Sequence, residues 1–103
     1  MQNHLLESRL DRFVELLGTY NEGRWHAHFR EAQVLMRENR IEQAKQKIRG
    51  AYGGMGSISD GLYFTGAPKE IAEEGYTIRG ELYTLAKPEG LLSRITKYIK
   101  NEN

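Results

Sequence analysis

One stretch of the chain gathers the residue types that hold ligands. GAYGGMGSISDGLYF, residues 50–64, carries five glycines, two serines, one Asp and three aromatics. Backbone without side chains reaches positive φ and can approach another group closely. Gly53, Gly54 and Gly56 could therefore offer successive N–H groups to an anion, as a nest does. Lys45, Lys47 and Arg49 precede them and would add charge, while Ser57, Ser59 and Asp60 would take a hydroxyl or cap the next element. Tyr52, Tyr63 and Phe64 flank the loop and could stack a base or sugar. The ligand-binding candidates are thus Arg49, Tyr52, Gly53, Gly54, Gly56, Ser57, Ser59 and Asp60. The same residues also suit a hard reversal, with Met55 and Ile58 plugging a core and Asp60 satisfying loose amides. The turn is the better supported of the two. A Walker loop requires Lys after its last glycine, where this chain has Ser57, and a dinucleotide loop follows a strand, where this one follows a helical pattern.

Other chemistries find less support. His26 and His28 are two residues apart, so on a helix they point about 200° away from each other and cannot readily share a metal. A helical metal pair needs spacing of four, and His4 is distant in sequence. Ser57 or Ser59 with His26 or His28 and a carboxylate would resemble a hydrolase triad, but the Gly-x-Ser-x-Gly elbow is absent. No residue is assigned a catalytic or metal-binding role, and no cofactor is expected. The pairs Glu73–Glu74 and Glu7–Glu15 read as solvated helix faces. Arg79, Lys87, Arg94, Lys97 and Lys100 form a scattered basic series that also reads as a solvated face.

The bulk numbers bound the answer. The chain has 103 residues, 39% hydrophobic and 28% charged, which suits a single domain, 1–103, and is too apolar for disorder. A formal net charge of +1 gives no basic excess for counterion release, so nucleic acid is an unfavoured partner. The lack of cysteine excludes disulfides, thiolate catalysis and Cys-based zinc sites. No apolar run approaches membrane-spanning length, and the first residues lack the apolar core of a signal peptide. The expected location is the cytoplasm.

The elements that would position the loop are helical. Leu5, Leu6, Leu10, Phe13, Val14 and Leu17 form one stripe over residues 3–18, with Asn3 as a cap and Gly18 as the left-handed stop. Trp25, Phe29, Ala32 and Met36 share a face of a second helix, 22–38, and Trp25 with Phe29 should centre the core. A third helix, 41–49, buries Ile41, Ala44 and Ile48, exposes its lysines and ends at Gly50. Leu62 to Thr65 suits a short extended piece. Helices at 68–74 and 76–86 are divided by Gly75, with Pro68 in the first turn. A last helix, 89–100, turns Leu91, Leu92, Ile95, Tyr98 and Ile99 inward. The expected fold is a small, mainly α, single-domain helical bundle with a Gly-rich loop.

Trp25, Phe29, a short helix and then AYGGMGS, 51–57, followed by Asp60, resemble a family of small bacterial proteins of unknown function. Those proteins carry a GGMGS-x-x-D-like loop in mid-chain and an Arg/Leu-rich helix near the end, which RGELYTLA at 79–86 resembles. Gly61 after Asp60 and the KPEG break at 87–90 depart from that pattern. The resemblance carries no established activity. As a class, such proteins often belong to toxin–immunity or phage-conflict loci. The expected function is recognition without catalysis, through an unknown protein partner. The alternative is a small anionic or nucleotide-like ligand held by Gly53–Asp60, and a small hydrolase comes third. A homo-oligomer is compatible with all three.

Overall fold

The computed structural model describes residues 2–53 and 56–88 of the chain. It contains α1 (Gln2–Thr19), α2 (Gly23–Arg37), α3 (Ile41–Arg49), the single turn α4 (Ile58–Gly61) and α5 (Lys69–Leu85), with no strand among the described residues. α1 packs on α2 and α5, and α3 packs on α2 and touches α5. The small all-α fold expected from the apolar periodicity is what forms. The expected last helix at 89–100, with Leu91 to Ile99 and the cations from Arg94 to Lys100, lies outside the described residues, as do Gly54 and Met55.

Amphipathic periodicity builds the core. Leu6, Leu10, Phe13, Val14 and Leu17 of α1 are buried, joined by Leu16; Leu5 is 44% exposed and departs from the expected stripe. Trp25, Phe29, Ala32 and Met36 of α2 are buried, and Phe13 meets Phe29 edge to face at 4.9 Å between centroids. Edge-to-face packing sets the positive ring edge against a negative face and adds to area burial. In α3, Ala44 and Ile48 are buried and Ile41 half-buried. Lys45 is buried too, against the expectation of exposed lysines, with its Nζ 3.6 Å from Glu42.

Helix ends depart from the glycine punctuation. α1 begins before Asn3, so Asn3 is a helical residue and not a cap. α1 runs through Gly18, whose bare backbone leaves room for the His26 ring of α2. The left-handed residue is Asn21 (φ 59), closed by Glu22 N–H donating to Leu17 O at 2.9 Å. α2 ends the same way, with Asn39 at φ 62 and Arg40 N–H donating to Leu35 O at 2.9 Å. Both are Schellman closures, in which Asn takes the position glycine usually fills. Gly50 caps α3 in right-handed geometry, φ −63.

The largest correction lies in α5. Gly75 does not divide two helices: one continuous helix spans Lys69–Leu85, with Pro68 just outside it as N-cap, its carbonyl accepting from Ala72 N–H at 3.0 Å. Gly75 is buried and faces the Phe64 ring. The ring occupies the space a side chain at 75 would need. Contact with that ring holds the glycine in the helix, which its propensity alone opposes by about 1 kcal/mol. Residues 58–61 form the turn α4; Leu62 takes the extended backbone expected over Leu62 to Thr65 (φ −107, ψ 122), but Phe64 is left-handed at φ 48 and Thr65 lies in a turn, so no extended piece forms across the four.

Two glycines of α5 should therefore respond oppositely to alanine. Gly75→Ala drives a methyl into Phe64 and should cost about 1–3 kcal/mol by overpacking. Gly80 is exposed, with nothing within 4 Å of a Cβ built there. Gly80→Ala should stabilise by about 0.5–1 kcal/mol. Thermal unfolding of the two variants checks both signs.

Candidate functional site

The Gly-rich loop leaves α3 and returns the chain to the core. Gly53 and Gly56 adopt φ 88 and φ 75 and are exposed, which is the backbone freedom the composition pointed to. Ile58 is fully buried, and its N–H donates to Ala51 O at 2.9 Å, closing the loop. Ser57 is buried at the start of α4 without a side-chain capping bond, and Ser59 is exposed. Asp60 belongs to α4. Phe64, counted among the aromatics able to stack a ligand, is 2% exposed and belongs to the core.

Arg49 and Tyr52 turn away from the loop glycines toward the end of α5. Arg49 Nη1 donates to Ala86 O at 2.5 Å, and the Tyr52 hydroxyl donates to Arg79 O at 2.6 Å. Burial raises the Tyr52 pKa far above the usual tyrosine range, with the Arg79 charge opposing it weakly. These two residues tie the loop to α5.

Their contacts assemble a different surface. Tyr76, Arg79, Tyr83 and Lys87 follow at steps of three and four, so they share one flank of α5 and its C-terminal extension. Tyr83 packs against Tyr52 at 5.1 Å and carries Lys87 Nζ over its ring at 5.9 Å. Arg79 lies over Tyr76 at 5.1 Å, and the Tyr76 hydroxyl donates to Tyr63 O at 3.1 Å. Tyr63 and Tyr83 are 67% and 48% exposed. In the sequence, Arg79 and Lys87 read as members of a solvated basic series, and Tyr52 and Tyr63 as loop flanks. The missed signal is the tyrosines interleaved with cations at helical spacing.

The opposite flank of α5 is spent on α1. Arg12 grips Glu74 with two bonds of 2.8 Å and reaches Glu15 at 2.6 Å, while Arg9 Nε donates to Glu81 at 3.0 Å. Glu74 and Glu15, read as solvated, are thus ion-paired. Hydrogen bonds from Arg12 hold the Glu74 carboxyl below its ordinary pKa, and the same bonds push the guanidinium up. A groove of about 540 Å³ runs here, lined by Ser8, Arg9, Arg12, Glu74, Thr77, Ile78 and Glu81, and its four charges are already matched in pairs.

Two of the three histidines, His26 and His28, contact neighbouring elements, and His4 is exposed. His28 Nε2–H donates to Lys47 O at 2.7 Å, joining α2 to α3 beside the Lys47–Glu31 pair at 2.6 Å. His26 covers Gly18. Among the described residues no three His, Asp or Glu side chains converge as a metal site requires, and no helix is long and apolar enough to cross a membrane.

Fold and surface together define a small all-α domain whose main irregular segment supports a tyrosine- and cation-bearing helix flank. The chain belongs to the family described as Domain of unknown function (DUF6966), whose model matches residues 18–70, just over half of its length. That match takes in α2, α3, the loop and α4, with Arg49, Tyr52 and Tyr63, and stops at the start of α5. No curated protein and no solved structure matches the chain.

Two pH responses follow. Glu74 is depressed in the folded state, so its contribution is present above the ordinary carboxylate range and lost as pH falls through it. Arg12→Met should lower Tm near neutrality, and its curve should converge with the parent's in acid. Tyr52 is raised, so its contribution is intact below the ordinary tyrosine pKa, about 10, and lost as pH rises beyond it. Tyr52→Phe should cost about 1 kcal/mol at neutral pH. It should also flatten the alkaline fall in Tm measured by circular dichroism.

Proposed function

We propose that this chain is a non-catalytic recognition module that binds another protein, of the kind found in immunity and conflict systems of bacteria and phage. The observation that carries this reading is the flank formed by Tyr76, Arg79, Tyr83 and Lys87 with Tyr52 and Tyr63 beside it. Tyrosine and arginine are enriched where interfaces concentrate their energy. Tyrosine brings large area with few torsions to freeze, and here neighbouring rings and cations already restrain it. A preformed face of this kind loses less entropy on binding than a loose one.

The second reading is a small anionic or nucleotide-like ligand at Gly53–Asp60. The positive φ and exposure of Gly53 and Gly56 favour it. The engagement of Arg49 and Tyr52 with α5 weighs against it, because the nearest cation and ring are committed elsewhere.

The test is capture of partners from the native host by the tagged full chain. Tyr83→Ala and Arg79→Ala should each weaken a specific partner by about 2 kcal/mol, roughly 30-fold. Arg12→Met, on the opposite flank, should leave binding intact. A partner indifferent to the first two variants overturns the assignment of this face. A rise in Tm with nucleotides or phosphate, abolished by Ser57→Ala, would favour the loop reading instead.

A further inference from the structure

We infer that the partner of the tyrosine flank is an acidic protein segment, whose carboxylates meet Arg79 and Lys87 while its apolar groups pack on Tyr83 and Tyr63. This rests on the recognition reading above and adds the chemistry of what is recognised.

The charges of α5 are divided between its flanks. Two of its four acids, Glu74 and Glu81, point to α1 and are taken by Arg12 and Arg9, while Glu70 and Glu73 are exposed in its N-terminal turns and enter no ion pair among the described residues. On the other flank, no carboxylate among the described residues lies within 4.0 Å of Arg79, Lys87 or Arg49, although ion pairs are common elsewhere on the surface. Rings hold two of these cations, Arg79 over Tyr76 at 5.1 Å and Lys87 over Tyr83 at 5.9 Å. A cation–π contact fixes a cation's place without neutralising it. Arg49 engages the uncharged carbonyl of Ala86 with one end of its guanidinium. The flank therefore carries fixed positive charge that the described fold does not consume.

Spacing decides among anions. Arg79 lies in α5 and Lys87 two residues past its end, so about 9 Å of helix, at 1.5 Å per residue, and two further residues separate them. Charges in a line suit successive carboxylates on a protein segment better than a single phosphate. Nucleic acid fits less well, because a net charge of +1 offers little counterion release.

The experiment selects short random peptides displayed on phage against the full chain, then measures synthetic versions of the winners by fluorescence anisotropy. Winners should combine Asp or Glu with apolar residues, and raising salt should weaken them. Arg79→Gln combined with Lys87→Gln should lower their affinity at least about tenfold while the variant's Tm stays near the parent's. Winners without acidic residues, or acidic winners that bind this variant as tightly as the parent, overturn the inference. If such winners still require Tyr83, the recognition face stands and only the partner chemistry is wrong. If no winner requires Tyr83, the recognition reading fails with it. A thymidine oligonucleotide that binds more tightly than every acidic winner, and is lost in the same variant, would assign the face to single-stranded nucleic acid and overturn the inference.

Discussion

Phe64 seated against Gly75 is the contact on which the rest of this structure depends. The ring is buried where α5 has no side chain and also touches Phe13, Tyr20 and Tyr76. Its backbone sits at φ 48, a left-handed conformation unusual for an aromatic residue. Glu22 Oε1 accepts its N–H at 3.0 Å, so the cost of that conformation is offset by a charged hydrogen bond and a buried ring. One residue thereby fastens the segment after the loop to α1, to the α1–α2 turn and to α5. A larger residue at 75 would hold α5 off the core and disturb the register at which Arg9 and Arg12 meet Glu81 and Glu74.

That seating gives α5 three distinct sides. One side carries Ile78 and Leu82 into the core, and a second is ion-paired to α1. The third is left to the tyrosines and cations beside the loop. The Gly-rich stretch is the route by which Tyr52 and Tyr63 reach that third side. Arg49 and Tyr52 brace the end of α5 from the N-terminal edge of the loop, and Tyr63 O accepts from Tyr76 at its far edge.

Much of the architecture is determined by sequence alone, because it depends on local periodicity. Stripes at steps of three and four place Leu10, Phe13, Phe29 and Ile48 inward whatever their neighbours turn out to be. The glycines at 53 and 56 carry positive φ where the composition demanded a reversal. Other features had to wait for tertiary structure, because they depend on residues far apart in the chain. Gly75 reads as a stop until Phe64, eleven residues earlier, is known to fill its space. Gly18 reads as a cap until His26 is seen to cover it, and Glu74 reads as solvated until Arg12 arrives from α1. The tyrosine flank is written at helical spacing, yet only the docking of the loop brings Tyr52 and Tyr63 to it. Periodicity fixes which side of a helix is apolar; what occupies its other sides is decided by the contacts that close the chain.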